Sequence, residues 1–194
     1  MEHRQYFPKW GPVLFDFGSV RSVGEHVMST ISLRPNLAIF AADDDQDDLA
    51  LLGLLLRKAG VDYPLELFRH GEELMSSLTK LVEHSVKAVR PLLCFLDVQL
   101  ATLTGFDVLR WIRNQPALNS IPVVMLTGSD HPKDVTAAVQ SGAQCYLTKY
   151  PQPSVLKTVV DDAQRFILGA PADECFRLPS NQLLVRCRRL SDKH

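Results

Sequence analysis

The four cysteines, Cys94, Cys145, Cys175 and Cys187, include no CxxC pair and show no metal-ligand spacing. That excludes a cysteine-built zinc site and a thioredoxin-type redox motif. Cys94 and Cys145 lie inside apolar runs, where a free thiol acts as a small hydrophobe, and the expected compartment is a reducing cytoplasm. No apolar run approaches the roughly 18 residues of a membrane-spanning helix. The amino terminus makes a poor signal peptide, because Glu2 comes early and Pro8, Gly11 and Pro12 interrupt its apolar residues. Charge of one sign is also lacking. Twenty-one basic against 22 acidic residues leave a formal charge of -1, which argues against nucleic-acid binding by the whole surface but not against a local patch. No long-period repeat is present. What remains is the composition of an ordinary globular protein, 46% hydrophobic and 22% charged over 194 residues, enough for one domain with extensions or two very small ones.

The most informative stretch is Leu92-Leu93-Cys94-Phe95-Leu96-Asp97. Five apolar residues running into one aspartate read as a fully buried strand of a parallel sheet. The carboxylate then sits at the sheet's carboxyl rim, where open α/β folds place their chemistry. Around it, apolar runs and helical spacings alternate. Strands are expected at Leu37–Ala42, Leu65–Phe68, Leu92–Asp97, Pro122–Leu126 and Cys145–Leu147. Each precedes a helical pattern: Leu49, Leu52, Leu55 and Leu56, closed by Gly60; Leu74, Leu78 and Leu81 after Gly71; Phe106, Val108, Leu109 and Ile112 after Gly105; Val135, Ala138 and Val139 between Pro132 and Gly142. The last is a helix opened by Ser154 as N-cap and carrying Leu156, Val159, Val160, Ala163 and Phe166. Five strand–helix pairs predict an α/β fold, a doubly wound five-stranded parallel sheet in the flavodoxin-like order 2-1-3-4-5, with helices on both faces.

Residues 36–168 form this unit. Residues 1–35, where aromatic residues mix with prolines and glycines, read as a flexible extension, and Met28 is a candidate natural start. Residues 169–194 read as a solvated tail, basic at Arg186, Arg188 and Arg189, with a short strand-like run at Leu183–Val185. Twenty-six residues are too few for a separate DNA-binding domain with its own core.

In the predicted order the first and third strands are neighbours, so Asp43 and Asp44 face Asp97. Three carboxylates together need a positive charge among them. Mg²⁺, a hard cation held by carboxylates and a phosphate oxygen, is the economical answer, and aspartate so arranged is a phosphoryl nucleophile. Lys149, after the fifth strand, supplies a second positive charge. Thr127, ending the fourth, can donate its hydroxyl to a phosphoryl oxygen. Tyr146 lies near enough to swing inward when Thr127 moves, and Gly128 leaves space beside the site. Taken singly, each has a plain structural reading: helix N-terminus, turn, solvated lysine, core tyrosine. Jointly they fall at or beside the carboxyl ends of four strands.

These residues resemble the receiver domain of two-component response regulators. The acidic pair Asp43-Asp44, the acceptor Asp97, the eight-residue step from Asp97 to Gly105, Thr127, Tyr146 and Lys149 all stand at the family's positions. The segments Asn114–Pro122 and Cys145–Lys149, and the long stretch between the second and third strands, resemble the single-domain phytochrome-associated type. The resemblance implies phosphoryl transfer from a sensor histidine kinase or phosphotransfer protein to Asp97. It also implies Mg²⁺ on Asp43, Asp44, Asp97 and the Gln99 backbone carbonyl, slow self-dephosphorylation and an unknown downstream protein partner. Receivers commonly dimerise through the helix before strand 5, strand 5 and the last helix, so a second copy is a candidate partner. Gln46 and Ala101 replace family prolines, and Tyr150 follows Lys149 where the family has proline, with Pro151 one place late.

Two other readings compete. Asp43-Asp44-Asp45 satisfies the Asp-x-Asp of haloacid-dehalogenase-like phosphatases, with Asp161-Asp162 as a later acidic pair, which would make Asp43 the nucleophile. Against it, Asp47 stands where that family has Thr or Val, and Asp161-Asp162 fall mid-helix. The other is a receiver-like binding module that is not phosphorylated; the intact acceptor, acidic pair, threonine and lysine speak against it.

Overall fold

A computed structural model describes residues 37–83, 89–128, 137–138, 140–171 and 174–176. The extension at 1–35 with Met28, most of the helix expected from Pro132, and the basic stretch with Leu183–Val185 and Arg186 lie outside the described residues. Five strands make one sheet: β1 (Leu37–Ala42), β2 (Leu65–Phe68), β3 (Arg90–Asp97), β4 (Val123–Thr127) and β5 (Cys145–Thr148), in the order β2-β1-β3-β4-β5. Every pairing is parallel. Among the described residues four full helices connect or follow them: α1 (Gln46–Lys58), α2 (Gly71–Glu83), α3 (Gly105–Asn114) and α4 (Pro153–Ile167). Between β4 and β5, Ala137, Ala138 and Gln140 are helical. The flavodoxin-like order is the predicted one.

The central strand is buried on both faces, as its unbroken apolar run requires; Leu92 to Asp97 are all buried. From Leu93 to Leu96 its side chains alternate between two cores, and Leu92, the extra residue at the register shift against β1, shares the first with Leu93. Leu93 and Phe95 join Ile39, Val124 and Leu147 beneath α1 and α4. Cys94 and Leu96 join Phe40, Met125 and Tyr146 beneath α2 and α3. The strand begins two residues earlier than its apolar run. Pro91, which has no N–H to donate, is accommodated where the β1–β3 register shifts between Ala38 and Ile39.

Local chemistry sets the helix ends. The Asp45 side chain accepts from the Asp47 N–H at 2.8 Å and caps α1, so the helix starts firmly at Gln46 without the family's proline. Gly60, at φ 70°, closes α1 as the sequence pattern required. Thr104 and Asp107 form a capping box on α3. The expected Ser154 N-cap is corrected. Pro153, pre-set for a first helical position, opens the helix one residue before Ser154, so Gln152 is the cap residue, Ser154 lies inside the first turn, and no side chain caps the helix. Beyond α4 the chain folds back. Cys175 and Phe176 are buried in the α1–α4 core, and the Phe176 N–H donates to Asp162 at 2.6 Å.

The loop that presents Asp97 returns to the strand at Gly105, whose N–H donates to the Val98 carbonyl at 3.0 Å. A Cβ at Gly105 would lie 2.0 Å from the Asp97 carbonyl oxygen, which is backbone and cannot turn aside. Gly105→Ala is expected to destabilise by about 2–3 kcal/mol and to shift Asp97, measurable as a lower urea midpoint. Leu96→Asp puts a carboxylate into a site with no exposure; at a cost of about 4 kcal/mol or more it should leave the chain largely unfolded by circular dichroism.

Candidate functional site

The carboxyl ends of β1, β3, β4 and β5 converge. β1 ends at Ala42, so Asp43 is the first residue beyond it, buried at 5% exposure. Asp97 is the last residue of β3, at 4% exposure, while Asp44 is exposed. Carboxylate oxygens of Asp43, Asp44 and Asp97 all lie within 4.8 Å of one another. The backbone holds two of them. Asp43 Oδ1 accepts from the Asp45 N–H at 3.0 Å, and Asp97 Oδ2 accepts from the Gln99 N–H at 3.1 Å. Gln99 in turn pairs with Thr104 across the loop. Thr127 ends β4, buried, and its carbonyl accepts the Lys149 N–H at 2.6 Å.

Lys149 reaches across the rim. Its Nζ lies 2.8 Å from Asp43 Oδ2, 2.6 Å from Asp48 Oδ2 and 3.3 Å from Asp97 Oδ1. It does so with a trans backbone, all described peptide bonds being trans. The strain falls on Tyr150, at φ 62°, a region that bulky side chains rarely adopt. The Tyr150 hydroxyl donates to Asp48 Oδ1 at 2.8 Å.

Titration behaviour follows from this crowding. Burial, and then the charge on Asp43, push the Asp97 carboxyl up to about 6 against the pull of Lys149. Burial raises Asp43 as well, with Lys149 opposing. Asp48 goes the other way: burial would raise it, but the bonds from Lys149 and Tyr150 outweigh that and hold it below the usual range. Burial disfavours the charged Lys149, yet its bonds to Asp43 and Asp48 prevail and raise it. One ammonium serves three carboxylates, and the exposed Asp44 adds a fourth negative charge. This all-oxygen donor set suits a hard cation such as Mg²⁺ or Mn²⁺, and the residues present fit one.

The structure thus brings together Asp43, Asp44, Asp97 and Lys149, with Thr127 adjacent. Gln99 meets Asp97 through its N–H. Tyr146 has no exposure and already sits inward, in the α2–α3 core, because its place in β5 directs it to that face; an inward swing on activation is not needed in this state. Asp161 and Asp162 lie in α4, far from a strand end, and Asp162 is spent on the Phe176 N–H and on Arg165 at 3.1 Å. Asp48 is the carboxylate on Lys149 that sequence reasoning passed over. Its signal was its spacing: it stands four residues before Leu52, on the core-facing stripe of α1.

Among the described residues no helix is long and apolar enough to cross a membrane. A family model described as the response regulator receiver domain matches residues 39–161. Response regulator Rcp1 of Synechocystis sp. is 35% identical over 115 residues, 59% of this chain and 78% of Rcp1. The DNA-binding response regulator MtrA of Mycobacterium tuberculosis is 31% identical over 118 residues, 61% of this chain but only 46% of MtrA. Among solved structures, the Mn(2+)-bound form of response regulator Rcp1 gives a TM-score of 0.53 at 31% identity, covering 74% of this chain and 99% of that one. The phosphorylated cyanobacterial phytochrome response regulator RcpA gives 0.54 at 29%, covering 69% and 95%.

A cation bound only by the folded site stabilises it by mass action, about 2.7 kcal/mol at a hundredfold excess over Kd. Mg²⁺ or Mn²⁺ should therefore raise the unfolding temperature reversibly with EDTA, and Asp43→Asn or Asp44→Asn should each abolish most of that rise. A midpoint indifferent to metal would contradict the cation site.

Proposed function

The chain belongs to the response regulator receiver family, and on that premise we propose that it is a phosphorylation-controlled signalling switch whose acceptor is Asp97. The observation that carries this reading is the placement of a buried aspartate at the end of β3, 3.3 Å from Lys149 and within 4.8 Å of two further carboxylates. The receiver unit is taken as 36–168, with 1–35 and 169–194 as extensions.

The donor is a phosphohistidine on a sensor histidine kinase or a phosphotransfer protein. An Asp97 carboxylate oxygen attacks phosphorus, and the P–N bond to the imidazole breaks. The electron pair stays on the imidazole nitrogen, which takes up a proton, and Asp97 becomes an acyl phosphate. Lys149 and the Thr127 hydroxyl hold the phosphoryl oxygens, and the Gln99 N–H keeps the carboxyl oriented. Mg²⁺ on Asp43, Asp44, Asp97 and the Gln99 carbonyl, when bound, neutralises charge on the transferring group. Water later attacks phosphorus, the acyl P–O bond breaks, and carboxylate and inorganic phosphate return; this slow self-dephosphorylation makes the state temporary. Members of the family are signalling proteins rather than conventional enzymes. The output is a change in protein binding, to a downstream partner or to a second copy through β5 and its flanking helices, in the cytoplasm. Support for phosphorylation as the control comes from RcpA, a phytochrome response regulator whose solved structure is the phosphorylated form and of which the match covers 95%.

Incubation with acetyl phosphate and Mg²⁺, followed by peptide mapping, should place the label on Asp97. Asp97→Asn should fold normally and take no label. Label on Asp43 would instead support the phosphatase chemistry, and a folded, metal-loaded protein that takes none would support a binding module.

A further inference from the structure

The Lys149 ammonium sits closer to Asp48 than to the acceptor: 2.6 Å from Asp48 Oδ2 against 3.3 Å from Asp97 Oδ1. The other Asp48 oxygen takes the Tyr150 hydroxyl at 2.8 Å. Both oxygens of one carboxylate on the first turn of α1 are thus gripped by consecutive residues of the loop after β5. Tyr150 does this from a left-handed backbone, φ 62°, with the residue still 57% exposed. The strained backbone is not offset by burying the ring; the hydroxyl bond is its polar return. That bond fixes the orientation in which Asp48 presents Oδ2 to Lys149.

We infer that Asp48, fixed by Tyr150, is a positioning residue that competes with a phosphoryl group on Asp97 for the Lys149 ammonium, and so sets how tightly the site holds that group. This rests on the acceptor reading above. Without the phosphoryl group, Asp48 holds the shortest of the three contacts to Lys149. When the group arrives, Lys149 must loosen that charge-assisted bond to turn toward a phosphoryl oxygen. Asp48→Asn keeps the shape but removes the charge, which frees the ammonium for the site. Tyr150→Phe keeps the ring and lets the carboxylate swing, a smaller loosening in the same direction. A merely supporting residue predicts the opposite sign, since its loss would weaken the site.

The test is titration of the full chain with beryllium fluoride and Mg²⁺, a phosphoryl mimic, followed by fluorine NMR. Asp48→Asn should bind tighter by roughly fivefold or more, a charge-assisted bond discounted for its partial exposure. Tyr150→Phe should tighten by a smaller factor, and Asp48→Glu, which restores the charge, should return toward the wild-type affinity. Unchanged or weaker binding in Asp48→Asn overturns the competition. If Asp48→Asn does not fold, Tyr150→Phe decides by the same rule. Asp97→Asn separates the two claims. Binding that survives it refutes the acceptor reading and the competition with it, whereas binding that needs Asp97 but is not tightened by Asp48→Asn refutes the competition alone.

Discussion

Lys149 is one positive charge facing three carboxylates, and the rest of the rim depends on how that imbalance is held. Asp43 and Asp97 are almost without solvent, and a buried carboxylate without a partner costs several kcal/mol. Burial, and then the charge on Asp43, hold the Asp97 carboxyl high, at about 6, and a single ammonium shared with Asp43 and Asp48 does not bring it down, while Asp48, with two donors, is held low. The deficit is a demand for further positive charge at Asp97, which a hard cation would meet. The local devices keep the deficit from relaxing. The Asp45 N–H pins Asp43, the Gln99 N–H pins Asp97, and Gly105 lets the loop close against the carbonyl of Asp97 itself.

The parts of this that were legible in the sequence share one property: they depend on period or on position along a strand. The run from Leu92 to Asp97 declared a strand buried on both faces, and the alternation of strands and helices declared the order that makes Asp43 and Asp97 neighbours. Where the reading fell short, the cause was a contact between residues apart in sequence in two cases and a neighbouring proline in the third. Asp48 looked like one more charge favoured by a helix N-terminus, since its partners Lys149 and Tyr150 come 101 and 102 residues later. Ser154 looked like a cap because its residue type favours caps, but Pro153 had already opened the helix. Cys175 and Phe176 looked like solvated tail because two residues carry no period; their burial follows from Asp162 offering a buried acceptor to the Phe176 N–H.

The geometry also constrains how occupancy of Asp97 is felt elsewhere. Asp97 pairs in register with Leu126, so Thr127 is the next residue along β4, and the Thr127 carbonyl takes the Lys149 N–H at 2.6 Å. The hydroxyl and the ammonium proposed to grip the same group therefore stand on backbones that are hydrogen-bonded to each other. Lys149 carries Tyr150 with it, and Tyr150 ends on Asp48 at the start of α1. Tyr146, three residues earlier, is locked in the opposite core beneath α2 and α3. A pull at the end of β5 is thus resisted on one side by a packed aromatic ring and on the other by one hydrogen bond at a strained, exposed residue. Packed cores yield less readily than a single surface bond, so displacement of Lys149 toward Asp97 is released at Tyr150 and Asp48, on the α1 side of the rim, before it disturbs the sheet.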